Sequence, residues 1–592
     1  MSGGGAVHPD SVHVGWAILV AIVAALLLGL VLAVQHAVSR TWARYRYGNL
    51  RLLPYRRAWD HHGIGPRGTT PLQPPAAEQA PRAITAIPQA TEAAMATTAP
   101  QTKPGLRRDA IGLREVLFQS ITDMAPGAAI AASIPAGVAF AGGALPLSVV
   151  FALVACLLCA WCIGLLTREM PAAGSLATYA ARGLHPAAGF LVAWGYVLVG
   201  WLIPPLVLLQ LGFTTAATLN SEFHGYPATL WWPWSLAGAL IVLAAGYYGI
   251  RTSARLGTIL GLSEIAVFLV LAVFLIVHAG HHNTLSVFGT TYTPSTFHGI
   301  TGVIGGSVFT LLAFGGFEGA APLAEEARDP RRTIQRAVLL ATLLIGALYV
   351  FTTYAVDVAF GPKGFASFTT GTGSASWEGL ARSLYGLFWF FVFLAIVNST
   401  IANANAGINV SSRTSYAMGR IGAFPRFFEL VNPRHRSPVA SIFVAFAITV
   451  AVTLGLGLGY TPTVAFSMVG TGIVIVLVAI YILMNAACIG FFGRRAGGLT
   501  HGFNWLSHLV IPVAGIAAFV PAWLTAAGIK VFSFVAPLAP PYSYMGPGVA
   551  GWMVVGVVYL IFLYRRDPRR VTEVGLVHLD APATPADAPS RA

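Results

Sequence analysis

The sequence predicts an all-α protein that crosses a membrane many times. Asp, Glu, Lys and Arg make up 9% of the 592 residues, against about 25% in a soluble globular protein. Hydrophobic residues make up 56%, and the mean hydropathy is +0.71. A soluble core could not bury that much apolar surface, so the composition excludes a cytosolic enzyme, a secreted disulfide-stabilised domain and a disordered chain.

Thirteen apolar stretches are long enough to be membrane helices, since about 20 apolar residues cross the hydrocarbon core. They lie near residues 14–38, 116–141, 145–167, 187–214, 233–249, 257–279, 300–324, 335–359, 385–411, 438–459, 462–491, 506–530 and 546–564. We therefore predict an extracytoplasmic N-terminus (1–13), an additional helix (14–38), a basic and then Pro/Ala/Thr-rich cytoplasmic linker (39–105), a twelve-helix domain (106–564) and a cytoplasmic tail (565–592).

The basic residues orient these helices. All but three of the 35 Lys and Arg residues fall in alternate loops, the exceptions being Lys363, Arg382 and Lys530. Because basic residues collect in cytoplasmic loops, we predict an external N-terminus and a cytoplasmic C-terminus in a plasma membrane. The net charge of +14 then faces anionic lipid, which argues against nucleic acid as a partner. Only three of the 35 are Lys, which suggests a GC-rich bacterial source.

Two of the twelve segments carry helix breakers in mid-membrane. The first contains TDMAPGAA at 122–129, and the sixth contains LAFGGFEG at 312–319. Unwound backbone cannot face lipid, so it lines a cavity, and transporters often bind substrate there. Breaks in segments one and six are expected if segments one to five and six to ten are inverted repeats. The alternative is a plain proline kink with glycine-mediated helix packing.

These breaks predict a site for a zwitterion. Free N–H groups of Gly127 and Ala128 would hold a carboxylate, as helix N-termini hold anions. Free carbonyls near Ala125 and Ala313 would accept hydrogen bonds from an ammonium. The predicted substrate-binding residues are Met124, Ala125, Pro126, Gly127, Ala128, Ala129, Leu312, Ala313, Phe314, Gly315, Gly316 and Phe317.

Three acids lie deep within predicted spans. Asp123, Glu264 and Glu318 have no Lys or Arg in mid-span to pair with. A charge at membrane depth is costly and points to function, so these acids are candidate proton carriers. The alternative is a protonated acid bonded to a neighbouring helix. In the eighth segment, Asn398 and Ser399 are candidates for an ion or substrate path, or for hydrogen bonds between helices.

Four stretches match a known family in the same order. They are MPAAGSLATYAARGLHPAAGFLVAW (170–194), GIRTSARLGTILGLSEIAV (249–267), AFGGFEGAAPLAEEARDPRRTIQRA (313–337) and NSTIANANAGINVSSRTSYAMGRIGAFPRF (398–427). Residues 106 to about 564 thereby resemble bacterial amino acid permeases of the amino acid–polyamine–organocation superfamily.

The resemblance implies a five-plus-five inverted-repeat transporter fold with two extra C-terminal helices. It also implies coupled amino acid transport by alternating access, with substrate contacts at 125–129 and 312–317. Three departures stand out. The first break reads Ala-Pro-Gly-Ala where the family often has Gly-x-Gly. Leu312 stands where some members have a gating Trp, which would leave closure to Phe314 or Phe317. Glu264 stands where some proton-coupled members carry a Lys.

We therefore expect a secondary active permease that moves neutral amino acids in symport with protons, with Glu264 or Glu318 as the titrating group. We expect no enzymatic activity, cofactor or metal. One alternative is an exchanger of amines, polyamines or amino acids, with Asp123 and Glu318 pairing a cationic substrate. Another is a non-transporting nutrient receptor whose N-terminal extension contacts a protein partner.

Overall fold

The part of the chain that the structure describes is the predicted twelve-helix domain. The computed structural model describes residues 111–566, apart from gaps at 172–173, 224, 249–253, 325–326, 369–374, 421–423, 433–436 and 496–502. The predicted N-terminal segment 1–13, the additional helix 14–38, the linker 39–105 and the tail beyond residue 566 lie outside the described residues.

Twelve helical segments follow one another, and each lies at a predicted span. Their main helices are α1 (Leu113–Asp123), α2 (Leu145–Glu169), α3 (Pro186–Glu222), α4 (Trp232–Tyr248), α5 (Ala254–Ala279), α6 (Ile300–Phe314), α7 (Pro330–Phe360), α8 (Phe388–Arg420), α9 (Val439–Gly459), α10 (Pro462–Arg495), α11 (Ile511–Ala527) and α12 (Met545–Arg566). Short helices lie between α2 and α3 (Ser175–Gly183) and between α7 and α8 (Trp377–Tyr385). Nowhere in the described ranges is there a β-strand.

Most of these helices can span a bilayer. Ten of the described helices are long and apolar enough to cross a membrane. The first segment is interrupted after Asp123, and α4 has 17 residues. Helix α3 has 37 residues, or about 55 Å at 1.5 Å per residue, so it exceeds the roughly 30 Å hydrocarbon core. The prediction of an all-α polytopic membrane protein is confirmed.

Small residues let the central helices approach closely. Gly200 of α3 faces Ser411 of α8, and Gly407 of α8 faces Ile203, next to the prolines of α3. Lipid tails are as apolar as the helices, so such close packing, not hydrophobic exclusion from water, holds helices together in a bilayer. This packing fixes α3 and α8 against each other.

The helices differ in how much of their surface faces outward. Every residue of α6 from Gly302 to Phe314 is buried. In α12, Val554, Val558 and Phe562 are exposed at four-residue spacing, which places them on one face of the helix. Helix α6 therefore lies in the centre of the bundle, and α12 presents an apolar face suited to lipid.

A pair of glycines in α10 tests the helix packing. A methyl group on Gly490 would overlap the carbonyl oxygen of Gly183, whereas one on Gly493 meets no described residue within 4 Å. We expect Gly490→Ala to cost about 1–3 kcal/mol through overpacking against backbone. Gly493→Ala should leave stability unchanged or raise it slightly, because Ala favours helix more than Gly does. Thermal unfolding in lipid nanodiscs measures both; equal melting temperatures would contradict this packing.

Candidate substrate and coupling site

The first segment unwinds at its Ala-Pro sequence. Helix α1 ends at Asp123, and Ala125 adopts a left-handed conformation with φ 45°. The helix resumes at Pro126, whose ring leaves no amide hydrogen to donate. A non-glycine residue with positive φ is strained and persists only where its surroundings hold it, as they do at functional sites.

The sixth segment unwinds at its glycine pair. Helix α6 ends at Phe314, and Gly316 has a φ of 108°, which favours glycine. The chain then continues as a 3-10 helix over Phe317–Leu323. Glycine is also needed for space, because a methyl group on Gly316 would lie 2.6 Å from the carbonyl group of Asp123. The two unwound turns are therefore in direct contact.

Side chains bind the two breaks together. The Ser120 hydroxyl donates to the Phe317 carbonyl over 2.9 Å and accepts from the Ala320 amide over 2.9 Å. The Tyr349 hydroxyl of α7 lies 3.2 Å from the Met124 carbonyl oxygen and 3.1 Å from that of Ala313. One buried tyrosine thus reaches a carbonyl from each break.

Two amide side chains satisfy further carbonyls of the first break. Asn403 of α8 donates to the Asp123 carbonyl over 2.8 Å. Gln210 of α3 donates to the Ala128 carbonyl over 3.0 Å. Within the described residues, several carbonyls that could have received a substrate ammonium therefore already accept protein hydrogen bonds.

A cavity of about 80 Å³ lies where the two breaks meet, enough for several water molecules. Its lining includes the predicted residues Asp123, Met124, Ala125, Ala128, Ala129, Leu312, Ala313, Gly315, Gly316 and Glu318. It also includes Asn403 of the eighth segment and residues that the sequence did not single out, among them Ser133, Tyr196 and Gln210. No Lys, Arg or His lines it among the described residues.

Four predicted substrate residues do not line this cavity: Pro126, Gly127, Phe314 and Phe317. The Phe314 ring packs edge-on against Tyr349, with centroids 5.4 Å apart, and the Phe317 ring packs against Tyr481 at 4.9 Å. Both phenylalanines are fully buried, and in this conformation Tyr196 is the aromatic side chain at the cavity.

Two carboxyl groups contribute to the cavity. Glu318 is 2% exposed and accepts from the Tyr481 hydroxyl (2.8 Å), the Tyr196 hydroxyl (3.4 Å) and the Gly316 amide (3.2 Å). Asp123 accepts from the Gln119 side-chain amide over 2.9 Å. The two acids interact electrostatically and lack a basic partner in the cavity lining. The arrangement therefore suits a bound cation or a proton.

A third carboxyl group contacts the first break outside the cavity lining. Glu264 of α5 is 4% exposed and accepts from the Asn398 side-chain amide (3.1 Å) and the Ser399 hydroxyl (3.3 Å) of α8. The Gly127 amide also donates to it. The structure thus brings Gly127 and three of the predicted coupling residues together. The Gly127 amide, which we expected to meet a substrate carboxylate, bonds to a protein carboxylate instead.

Close packing explains why residue 127 is a glycine. A methyl group there would lie 3.2 Å from both the Ala395 carbonyl oxygen and the Ser399 Cβ. Both neighbours belong to α8, so a larger residue would push the first break away from that helix. Gly127 thereby holds its amide within reach of Glu264.

Comparison with known proteins agrees with this architecture. The family model described as "Amino acid permease" matches residues 111–563. The chain is 28% identical to the low-affinity putrescine importer PlaP of Escherichia coli over 313 residues, which are 52% of this chain and 66% of that protein. The matched part thus covers just under two thirds of the importer's length.

Other relatives are also transporters. The chain is 25% identical to the Asc-type amino acid transporter 1 of Mus musculus over 304 residues, 49% of this chain and 54% of that protein. It is 25% identical to the uncharacterized amino acid permease YecA of Bacillus subtilis over 378 residues, 61% of this chain and 81% of that protein. The family model covers more than half of the chain, so the protein belongs to the amino acid permease family of membrane transporters, as its four sequence motifs predicted.

Proposed function

We propose that the protein is a secondary active permease that works by alternating access and carries an amino acid in symport with protons across the plasma membrane. The observation that carries this proposal is an acid-lined cavity at the meeting point of two helix breaks, with no basic residue among its described lining residues and a third buried acid bonded to the first break. Family membership supports transport of an amino acid or an amine.

The cavity favours recognition of an ammonium group. Asp123 and Glu318 supply two carboxyl groups, and Asn403 and Tyr196 add polar atoms beside them. A buried charge is stable only when it is paired, so an ammonium at Asp123 would compensate the cavity acids. The remaining lining is largely small and apolar, which favours a neutral side chain on the substrate.

An amine without a carboxylate is a second candidate substrate. The Gly127 amide bonds to Glu264, and no described residue of the cavity lining is basic, so little in this conformation would bind a carboxylate. The relative named as a putrescine importer transports such a molecule by its printed name. Substrate carboxylate binding would require that Glu264 release Gly127.

We propose Glu264 as the residue that couples proton uptake to movement of the first break. As a carboxylate it accepts hydrogen bonds from two side chains of α8 and from the Gly127 amide. Protonation removes the carboxylate charge that strengthens these hydrogen bonds. The bond between Glu264 and the Gly127 amide therefore becomes weaker. Asn398 and Ser399 would position the carboxyl group, and Glu318 and Asp123 would hold the substrate or a second proton.

The substrate class can be tested with purified protein in liposomes. The liposomes are given an inward proton gradient and a labelled panel of compounds. The panel contains an amino acid, its decarboxylated amine and its N-acetylated form. We expect accumulation of the amino acid and none of the acetylated form, which lacks an ammonium. Uptake of the amine alone would favour the second candidate. Binding without accumulation under any gradient would identify a receptor and overturn the transport proposal.

Neutralising Glu264 should abolish coupling but spare exchange. Glu264→Gln keeps an acceptor for Asn398 and Ser399 but cannot bind a proton, so gradient-driven accumulation should fall to the equilibrium level. Counterflow of labelled against unlabelled substrate, which needs no net proton movement, should persist. Asp357→Asn is the matched control, because Asp357 is a fully buried acid of α7 that does not line the cavity. Intact pH-driven accumulation in Glu264→Gln would remove Glu264 from this role.

Neutralising Asp123 should weaken substrate binding. We expect Asp123→Asn to raise KM about tenfold or more, which corresponds to about 1.4 kcal/mol of lost binding free energy. Glu115→Gln, which changes an acid on the same helix outside the cavity, should leave KM unchanged. Initial uptake rates at several substrate concentrations measure both variants. An unchanged KM in Asp123→Asn would show that the ammonium binds elsewhere.

Substitutions at two glycines distinguish the effect of backbone strain from the effect of contact between the two breaks. Gly316 and Gly361 both have positive φ, 108° and 101°, so alanine at either costs about 1–2 kcal/mol. A methyl group on Gly316 would push on Asp123, whereas one on Gly361 meets no described residue within 4 Å. We expect Gly316→Ala to lower the melting temperature more than Gly361→Ala does, and uptake measured where both variants stay folded to be lost only in Gly316→Ala. Equal uptake in the two variants would contradict the proposed importance of this contact.

A further inference from the structure

The short helix Trp377–Tyr385, here called the cap helix, lies between α7 and α8 on the predicted external face. It contacts three helices of the bundle. The Tyr385 hydroxyl donates to the Phe274 carbonyl of α5 over 2.7 Å. Arg382 forms an ion pair with Glu222 at the end of α3, and its guanidinium lies 4.2 Å from the ring centroid of Trp389 in α8.

A second side-chain contact between the cap helix and α3 joins Thr218 and Glu378. Their oxygens are 2.6 Å apart, and both residues are buried, at 3% and 8% exposure. The other Glu378 carboxyl oxygen is buried and has no hydrogen-bond partner among the residues that the structure describes. An ionised carboxylate in this position would be poorly compensated, since a buried charge needs several hydrogen bonds or a counter-charge.

The number of available hydrogens indicates which group donates in this contact. The Thr218 hydroxyl has one hydrogen but faces two oxygens, because it also lies 2.8 Å from the Thr214 carbonyl. If that hydrogen bonds to Thr214, the 2.6 Å contact is a hydrogen bond only when Glu378 carries a proton and donates it. A protonated Glu378 therefore satisfies both contacts at once.

The cap helix also reaches the first break through two aromatic rings. Trp377 packs edge-on against Phe268 of α5, with ring centroids 5.4 Å apart. A methyl group on Gly127 would lie 3.4 Å from Cε2 of Phe268, and Phe268 is one helical turn from Glu264. Displacement of the cap helix would therefore remove a packing partner of Phe268, which lies against the first break one helical turn from Glu264.

We propose that protonated Glu378 locks the cap helix onto the end of α3 through Thr218, and that loss of this proton releases the cap helix from the external face of the bundle. The proposal goes beyond coupling at Glu264, since it concerns access from outside.

The direction of the pH effect follows from linkage. Burial raises the pKa of Glu378, which lies outside the membrane spans, from 4.5 to about 8, and release returns it towards 4.5. The closed cap is then most stable below about pH 4.5 and loses stability as the pH rises to about 8, after which the effect levels off. Among the described residues that contact the cap helix, the other charged groups are Glu222 on α3 and Arg382 on the cap helix itself.

Amide hydrogen exchange of the full chain in nanodiscs tests the lock directly. Peptides covering residues 377–385 are followed by mass spectrometry from pH 5.5 to 9, with exchange times corrected for the intrinsic pH dependence of exchange. We expect wild-type protection to fall by up to about tenfold per pH unit and to level off near pH 8. Glu378→Gln, whose amide can donate to Thr218 but does not titrate, should show constant protection. Parallel pH profiles for the two proteins would overturn the proposal.

Further variants keep the test decisive if Glu378→Gln fails to fold. Thr218→Ser retains the hydroxyl and should keep wild-type protection at pH 6, whereas Thr218→Val should lose it. Equal protection of these two variants at pH 6 would exclude Thr218 from the lock. Glu222→Gln should lower protection equally at every pH, because it removes the ion pair and leaves Glu378 free to titrate. Loss of the pH dependence in Glu222→Gln would assign the switch to the ion pair and overturn the role of Glu378.

Discussion

Each unwound turn within an apolar bundle must have its backbone polar groups satisfied by protein, because lipid offers no hydrogen bonds. The two breaks meet this constraint with side chains from four helices. Ser120 and Tyr349 join the first break to the sixth segment, while Asn403 and Gln210 bind carbonyls of the first break. These bonds hold the breaks together, and the cavity exists because the breaks meet. The hydrogen bonds to the unwound backbone therefore determine where the cavity lies, independently of any substrate.

The distribution of polar side chains also separates two tasks at the first break. Asp123 lines the cavity, whereas the Gly127 amide bonds to Glu264 outside the cavity lining. Only one turn of chain separates the two positions, and its central residue Ala125 is held in a left-handed conformation. A change at either side must rearrange this short turn, because its few residues cannot adjust independently. The proposed substrate and proton sites are thus linked through this turn without direct contact.

Local sequence was sufficient to predict the helices, the breaks and the buried acids. Long apolar runs, Pro126, Gly316 and unpaired carboxylates are signals that each lie within one short segment. Tyr349 and Gln210 were missed because a single polar residue in an apolar helix gives no clue to its partner, and their partners are 225 and 82 residues away. The direction of the Gly127 amide could not be predicted from the sequence either. A proline predicts a free amide nearby, but the direction of that amide depends on packing against α8.

Glu264 and the Asn398–Ser399 pair were separate candidates in the sequence, and the structure joins them, which shows why chemistry could be anticipated more readily than geometry. An unpaired acid in one span and adjacent Asn and Ser residues in another are each costly in lipid, so each needs a polar partner. When few polar groups are available in a bundle, those present tend to satisfy one another. The Gly127 amide is one more unsatisfied donor in the same region, and Glu264 accepts from it as well. The proposed coupling site thus depends on the same constraint that stabilises the fold: the scarcity of polar partners at membrane depth joins Glu264 to the first break.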